Sequence, residues 1–88
     1  MSSWTLVVAT PAWKDLEKVP ARDRDSLEAG IEHLAVDPYS GNVKKLSVGK
    51  DLWRLRVGQW RVRFRIDKAT RTVLVVRVLP RGSAYRDL

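Results

Sequence analysis

The 88-residue sequence contains no cysteine, which excludes a disulfide framework and any thiolate zinc site and fits a reducing interior. It has a single histidine, His33, so neither a histidine metal cluster nor a Ser-His-Asp arrangement finds support. Long hydrophobic runs are missing as well. The longest, Val73 to Val76, is far short of the roughly 20 apolar residues that span a bilayer, and the first thirty residues hold no basic stretch leading into an apolar one. A cytoplasmic chain with no membrane partner and no cofactor is the expectation. There is also no internal repeat, no low-complexity segment and no glycine-rich dinucleotide-binding unit.

What is present is apolar mass and positive charge. A hydrophobic fraction of 44% with four tryptophans is enough for one core but not for two, so residues 1–88 are read as a single domain. Seventeen Lys and Arg face ten Asp and Glu, for a net charge of +7. That balance points to a polyanionic partner: nucleic acid, an anionic membrane or an acidic protein.

Along the chain, Trp4 to Val8 reads as a strand, and Thr10-Pro11 as a helix start with Thr10 as N-cap. Ala12, Trp13, Leu16 and Val19 recur at helical spacing until Pro20 interrupts the helix. A second helix runs from about Pro20 or Ala21 to about Val36 on a stripe of Leu27, Ile31, Leu34 and Ala35, and Asp37-Pro38 ends it. His33 lies beside that stripe and reads as a surface or boundary residue. Residues 38–51 give no periodicity and form an irregular connection whose length hints at function.

The C-terminal half alternates strictly. Trp53, Leu55 and Val57 interleave with Arg54 and Arg56; Trp60, Val62, Phe64 and Ile66 interleave with Arg61, Arg63 and Arg65. These are two half-buried strands around a Gly58-Gln59 turn of the type with glycine first. Asp67 to Arg71 then turns into a third strand, Thr72 to Leu79, which is apolar on both faces and therefore interior. The order β-α-α-β-β-β predicts an α+β domain with a mostly antiparallel sheet covered by helices on one face.

If Gly58 and Gln59 form the turn, Val57 faces Trp60, Leu55 faces Val62 and Trp53 faces Phe64, giving an apolar face for the helices. The same register opposes Arg56 to Arg61 and Arg54 to Arg63, each pair costing about 0.2–1 kcal/mol relative to a neutral pair. A mixed polar surface would keep the sheet soluble without that cost. A nearly all-arginine face instead suits phosphate, which guanidinium groups bind through paired donors. Tyr85, in the tail after Arg81, is as well explained by edge packing as by base stacking. Tyr39 reads as structural.

The stretch TPAWKDLEKVP, the helix ending in LAVDP, the KKL before the sheet, the hairpin WRLRVGQWRVRF and the tail RVLPRGSAYR together resemble the RelE/ParE superfamily of type II toxin–antitoxin toxins, in its RelE-like branch. The likeness covers nearly the whole chain. It implies a RelE-like fold, a cognate antitoxin with which a hetero-oligomer forms, and a ribosome-dependent endoribonuclease that cleaves messenger RNA. It matches Arg61, Arg81 and Tyr85 to catalytic positions and puts Arg54 and Arg56 where relatives carry basic residues. Arg63, Lys44 and Lys45 would add to the RNA-binding surface. Some relatives use a Glu and a His as acid and base, whereas the KKL region here offers no carboxylate and the tail has Tyr85.

RNA carries its own nucleophile, so such an enzyme need only align the 2′-hydroxyl with the adjacent phosphate and stabilise the charge that develops. Arg61 and Arg81 would clamp the phosphate, Arg54 and Arg56 would hold the backbone, and Tyr85 would orient the base. The proton acceptor stays unassigned. Competing readings are a ParE-like inhibitor of DNA gyrase, a basic nucleic-acid-binding module without chemistry, and a degenerate toxin that only sequesters antitoxin.

Overall fold

A computed structural model describes residues 3–47 and 51–82 of the chain. The elements run β1 (Thr5–Val8), α1 (Thr10–Glu17), α2 (Ala21–Leu34), β2 (Val43–Lys45), β3 (Leu52–Val57), β4 (Trp60–Asp67) and β5 (Thr72–Pro80). The strands form one sheet in the order β1-β5-β4-β3-β2. β1 pairs with β5 in parallel, and the other neighbours are antiparallel. The third strand of the expected meander is interior, as its two apolar faces require.

Three features depart from the sequence reading. The irregular connection contains the short edge strand β2, which pairs with β3; three residues are too few to show alternation, and the pairing itself stabilises them. Thr10 is already helical and Ala9 is the N-cap, with no side-chain cap, because Pro11 fixes the first turn without one. Trp13 is 56% exposed rather than in the core. Ala12, Leu16 and Val19 fill the buried stripe of α1, and Trp13 lies about 100° around the helix from it.

Both helices cover one face of the sheet. Ala12, Leu16, Leu27, Ile31 and Leu34 pack there against Leu55, Val62, Phe64, Ile66, Val73, Val75 and Val78. At the bottom of that layer Tyr39 meets Trp4 and Trp53 edge-on, at 6.0 and 5.5 Å between ring centroids. α2 approaches β3 closely at Gly30, where a Cβ would sit 3.0 Å from Val57 Cγ2 and 3.4 Å from Leu55 Cδ2. Gly30→Val is therefore expected to destabilise the domain by about 1–3 kcal/mol through overpacking, seen as a lower urea midpoint.

Between β4 and β5 the register slips: Arg63 pairs with Arg77 but Phe64 pairs with Val75, leaving Val76 as the extra residue of a bulge. The bulge changes the phase of β5. Val73 and Val75 face the helices before it, and Val78 faces them after it, so Leu79 falls on the opposite face with the arginines.

Candidate nucleic-acid interface

The face turned away from the helices is set by the hairpin. Gly58 has φ +57° and Gln59 is not among the described residues with positive φ, the geometry of a glycine-first two-residue turn. The turn fixes the register as read from the sequence: Arg54 opposite Arg63 and Arg56 opposite Arg61. β2 extends the first of these rows, since Lys44 pairs with Arg54, and the bulge brings Arg77 into register with Arg63. Cations from neighbouring strands thus line up across the sheet.

Charge is segregated between the layers. Residues 10–34 hold six acidic and four basic side chains, while residues 43–80 hold two acidic and eleven basic ones. The two acidic residues, Asp51 and Asp67, stand at the end of the sheet away from the Gly58-Gln59 turn. There they line a cleft of about 680 Å³ with Arg65, Thr70, Thr72 and Leu74.

The cations of the rows do not share one environment. Lys44 and Arg56 are exposed, and Arg54 and Arg63 are half-buried. Arg54 Nε is buried with no hydrogen-bond partner. Arg77 turns to α1, where its Nε and Nη2 donate to the Asp15 carboxylate at 2.8 and 3.2 Å. Asp15 also accepts from the Val78 amide at 2.9 Å, a strand-edge donor left open where β1 ends. Lys45 is in register with Trp53 and Phe64, so it belongs to the opposite side from Lys44 and does not join the row. Adjacent residues of a strand cannot both contribute to one face.

Arg61 departs most from the sequence reading. It registers with Arg56 on the cationic face, yet it is 3% exposed. Its Nη1 donates inward to the carbonyls of Gly58 at 3.1 Å and Trp60 at 3.0 Å, and its Nε is buried without a partner. Folding one arginine of the Arg56–Arg61 pair into the turn relieves the like-charge opposition, and it also withdraws Arg61 from solvent. Arg81 is exposed and lies at the same end of the sheet, because its amide donates to the Gln59 carbonyl at 2.8 Å. Tyr85 lies outside the described residues. His33 is on the helical layer, exposed and bonded to Ser40 Oγ at 3.0 Å. Among the described residues no three His, Cys, Asp or Glu side chains form a group that could hold a metal ion, and no helix is long and apolar enough to cross a membrane.

Burial alone would raise the pKa of Asp15, but the hydrogen bonds from Arg77 and Val78 and the charges of Arg77 and Lys18 outweigh it and hold the carboxyl below its ordinary 3.8. A depressed carboxylate pKa adds stability that is present above the unfolded value and is lost as pH falls through the folded one. Asp15→Asn is thus expected to lower stability at pH 7 by about 1–3 kcal/mol. Urea melts at pH 7 and at pH 2 check this, with the difference between wild type and variant shrinking at the lower pH.

Residues 6–85 match the model of a family described as ParE toxin of type II toxin–antitoxin system, parDE. No curated protein matches the sequence. Among solved structures the chain is similar to the RelBE2 toxin–antitoxin complex of Mycobacterium tuberculosis, with 29% identity and a TM-score of 0.79 over 89% of this chain and 98% of that one. It is similar to the RelB–RelE complex of Methanococcus jannaschii, with 26% identity and a TM-score of 0.76 over 93% and 98%. A RelE–RelB complex from Pyrococcus horikoshii OT3 shares the fold at 21% identity, with a TM-score of 0.78 over 91% and 97%.

Proposed function

The chain belongs to the ParE toxin family of type II toxin–antitoxin systems, and from that premise we propose that it is a toxin that binds messenger RNA on its cationic sheet face and cleaves it on the ribosome. The observation that carries this reading is the alignment of Lys44, Arg54 and Arg63 across three neighbouring strands, with Arg56 in the next row and Arg81 tied to the turn beyond it. A solvated surface has no need of cations in register, whereas a polyanion turns their mutual repulsion into attraction.

In this reading Lys44, Arg54, Arg56 and Arg63 hold the RNA backbone. Arg81 faces the scissile phosphate and stabilises the charge that accumulates as the 2′-hydroxyl attacks in line and the 5′-oxygen leaves. Tyr85 orients the reacting base. Asp67, which shares this side of β4 with Arg63 and Arg65, stands at the end of the sheet away from Arg81, and no other described residue of β2 to β5 is a carboxylate or histidine that could accept the 2′-hydroxyl proton there. Cleavage of free RNA is therefore slow, and the ribosome supplies the alignment of the strand. The similar structures are named as toxin–antitoxin complexes, and a cognate antitoxin is accordingly the proposed protein partner. An acidic segment of it would be complementary to the sheet face.

One observation favours a second reading, inhibition of DNA gyrase by binding alone: Arg61, matched by resemblance to a catalytic position, is turned inward. Expression without antitoxin separates the two. Pulse labelling is expected to show protein synthesis collapsing within minutes while DNA synthesis continues; early arrest of DNA synthesis with filamentation would favour gyrase instead.

A further inference from the structure

Arg61 is the one charged residue among those described that is buried. Burying a guanidinium is costly unless it is well hydrogen-bonded, and its partners here are backbone carbonyls rather than a carboxylate. Those carbonyls belong to the turn. Gly58, Gln59 and Trp60 are consecutive. Arg61 Nη1 takes the oxygens of the first and third, at 3.1 and 3.0 Å, and the Arg81 amide takes the oxygen of the middle one at 2.8 Å. The turn is held from its other side by α2, where the Trp60 indole donates to Asp23 Oδ2 at 3.1 Å. Trp60 is also in register with Pro80, the residue before Arg81.

We infer that Arg61 is a positioning residue: it clamps the Gly58-Gln59 turn so that the Gln59 carbonyl anchors Arg81 at the end of the cationic face, and it does not itself touch phosphate. With Gly58 at φ +57° the turn has little of its own to fix the direction of its carbonyls, since glycine is permissive on both sides of φ. A single amino group bridging the carbonyls on either side of Gln59 removes that freedom. The two bonds use only the Nη1 donors, but they hold the whole guanidinium inside the turn, where Arg61 is 3% exposed. Phosphate contact would require that buried group to swing out to solvent, and the turn would lose its clamp as the substrate arrived.

Two measurements test this, and only the second depends on the proposed RNA reading. In amide hydrogen exchange, Arg61→Ala is expected to accelerate exchange at the Arg81 amide by at least about tenfold beyond any change at the Val62, Phe64 and Val75 amides, which report global opening. Arg61→Lys, whose ammonium can donate to both carbonyls, should restore most of the protection and stands in if the alanine variant does not fold. Unchanged relative protection of Arg81 in both variants would overturn the inference. The second measurement is the salt dependence of affinity for a labelled single-stranded RNA. Each phosphate contact contributes about 0.7 to the log–log slope, so Arg81→Ala should flatten it by about that amount, and adding Arg61→Gln, which keeps an amide donor for the carbonyls but removes the charge, should flatten it no further. A further loss of similar size in the double variant would show Arg61 on phosphate and overturn the inference. If no variant, nor the wild type, binds RNA while the exchange result holds, the clamp stands and the RNA reading fails.

Discussion

Replacing Arg54, Arg56 and Arg63 together by alanine is expected to weaken binding of single-stranded RNA by roughly 10³-fold, taking about 1.5 kcal/mol for each charge-assisted hydrogen bond to phosphate that the variant cannot make. The same variant should flatten the salt dependence of binding by about two units of log–log slope, from about 0.7 per phosphate for a single strand. Stability should change by no more than about 1 kcal/mol, because removing the direct opposition of Arg54 and Arg63 across β3 and β4 offsets the contacts that these two half-buried side chains give up. A fluorescence-anisotropy titration at several salt concentrations, with a thermal melt of the same sample, reads all three quantities. Affinity that drops while stability is retained is the signature of a surface kept for a ligand.

Arg81→Ala should act on the chemistry more than on binding. Its side chain is exposed and its anchor is its own backbone amide on the Gln59 carbonyl, so alanine keeps the anchor and removes only the guanidinium. Loss of one preorganised donor to a developing charge commonly costs about 10²–10³ in rate, which is the fall expected for cleavage of ribosome-bound message. RNA affinity should change by no more than about tenfold, the value of one phosphate contact. Single-turnover cleavage with programmed ribosomes distinguishes these effects. A loss of affinity without a loss of rate at saturation would move Arg81 from the reacting phosphate to the flanking backbone.

The hairpin is the most legible part of the chain. Strict alternation from Trp53 to Ile66 around a glycine turn leaves one register that buries every apolar side chain, and the structure has that register pair for pair. The bulge at Val76 cannot be read in the same way. Val73 to Leu79 is apolar at both odd and even positions around Arg77, so a change of phase leaves no trace in the pattern. For the same reason the Asp15–Arg77 pair, which joins residues 62 apart in sequence, is invisible to periodicity. The parallel pairing of β1 with β5 carries no local signal either. It follows from the path of the chain over the helices.

Within the candidate site, alternation assigns Arg61 to the cationic side correctly and says nothing of its burial. That depends on where the turn carbonyls point, and Gly58 leaves their direction open. Lys44 and Lys45 look equivalent as neighbours in an unassigned segment. Once β2 exists they belong to opposite faces, and only Lys44 extends the row. Sequence thus locates the face through periodicity and charge, while the roles of individual cations come from hydrogen bonds that periodicity does not encode.

Mapping the 5′ ends of cellular messages after induction, with wild type and Arg81→Ala in parallel, puts the cationic face to its hardest trial. New ends inside coding regions should accumulate for the wild type and be nearly absent for the variant. Intact messages in cells whose growth the wild type has arrested would show that this face does not cut RNA.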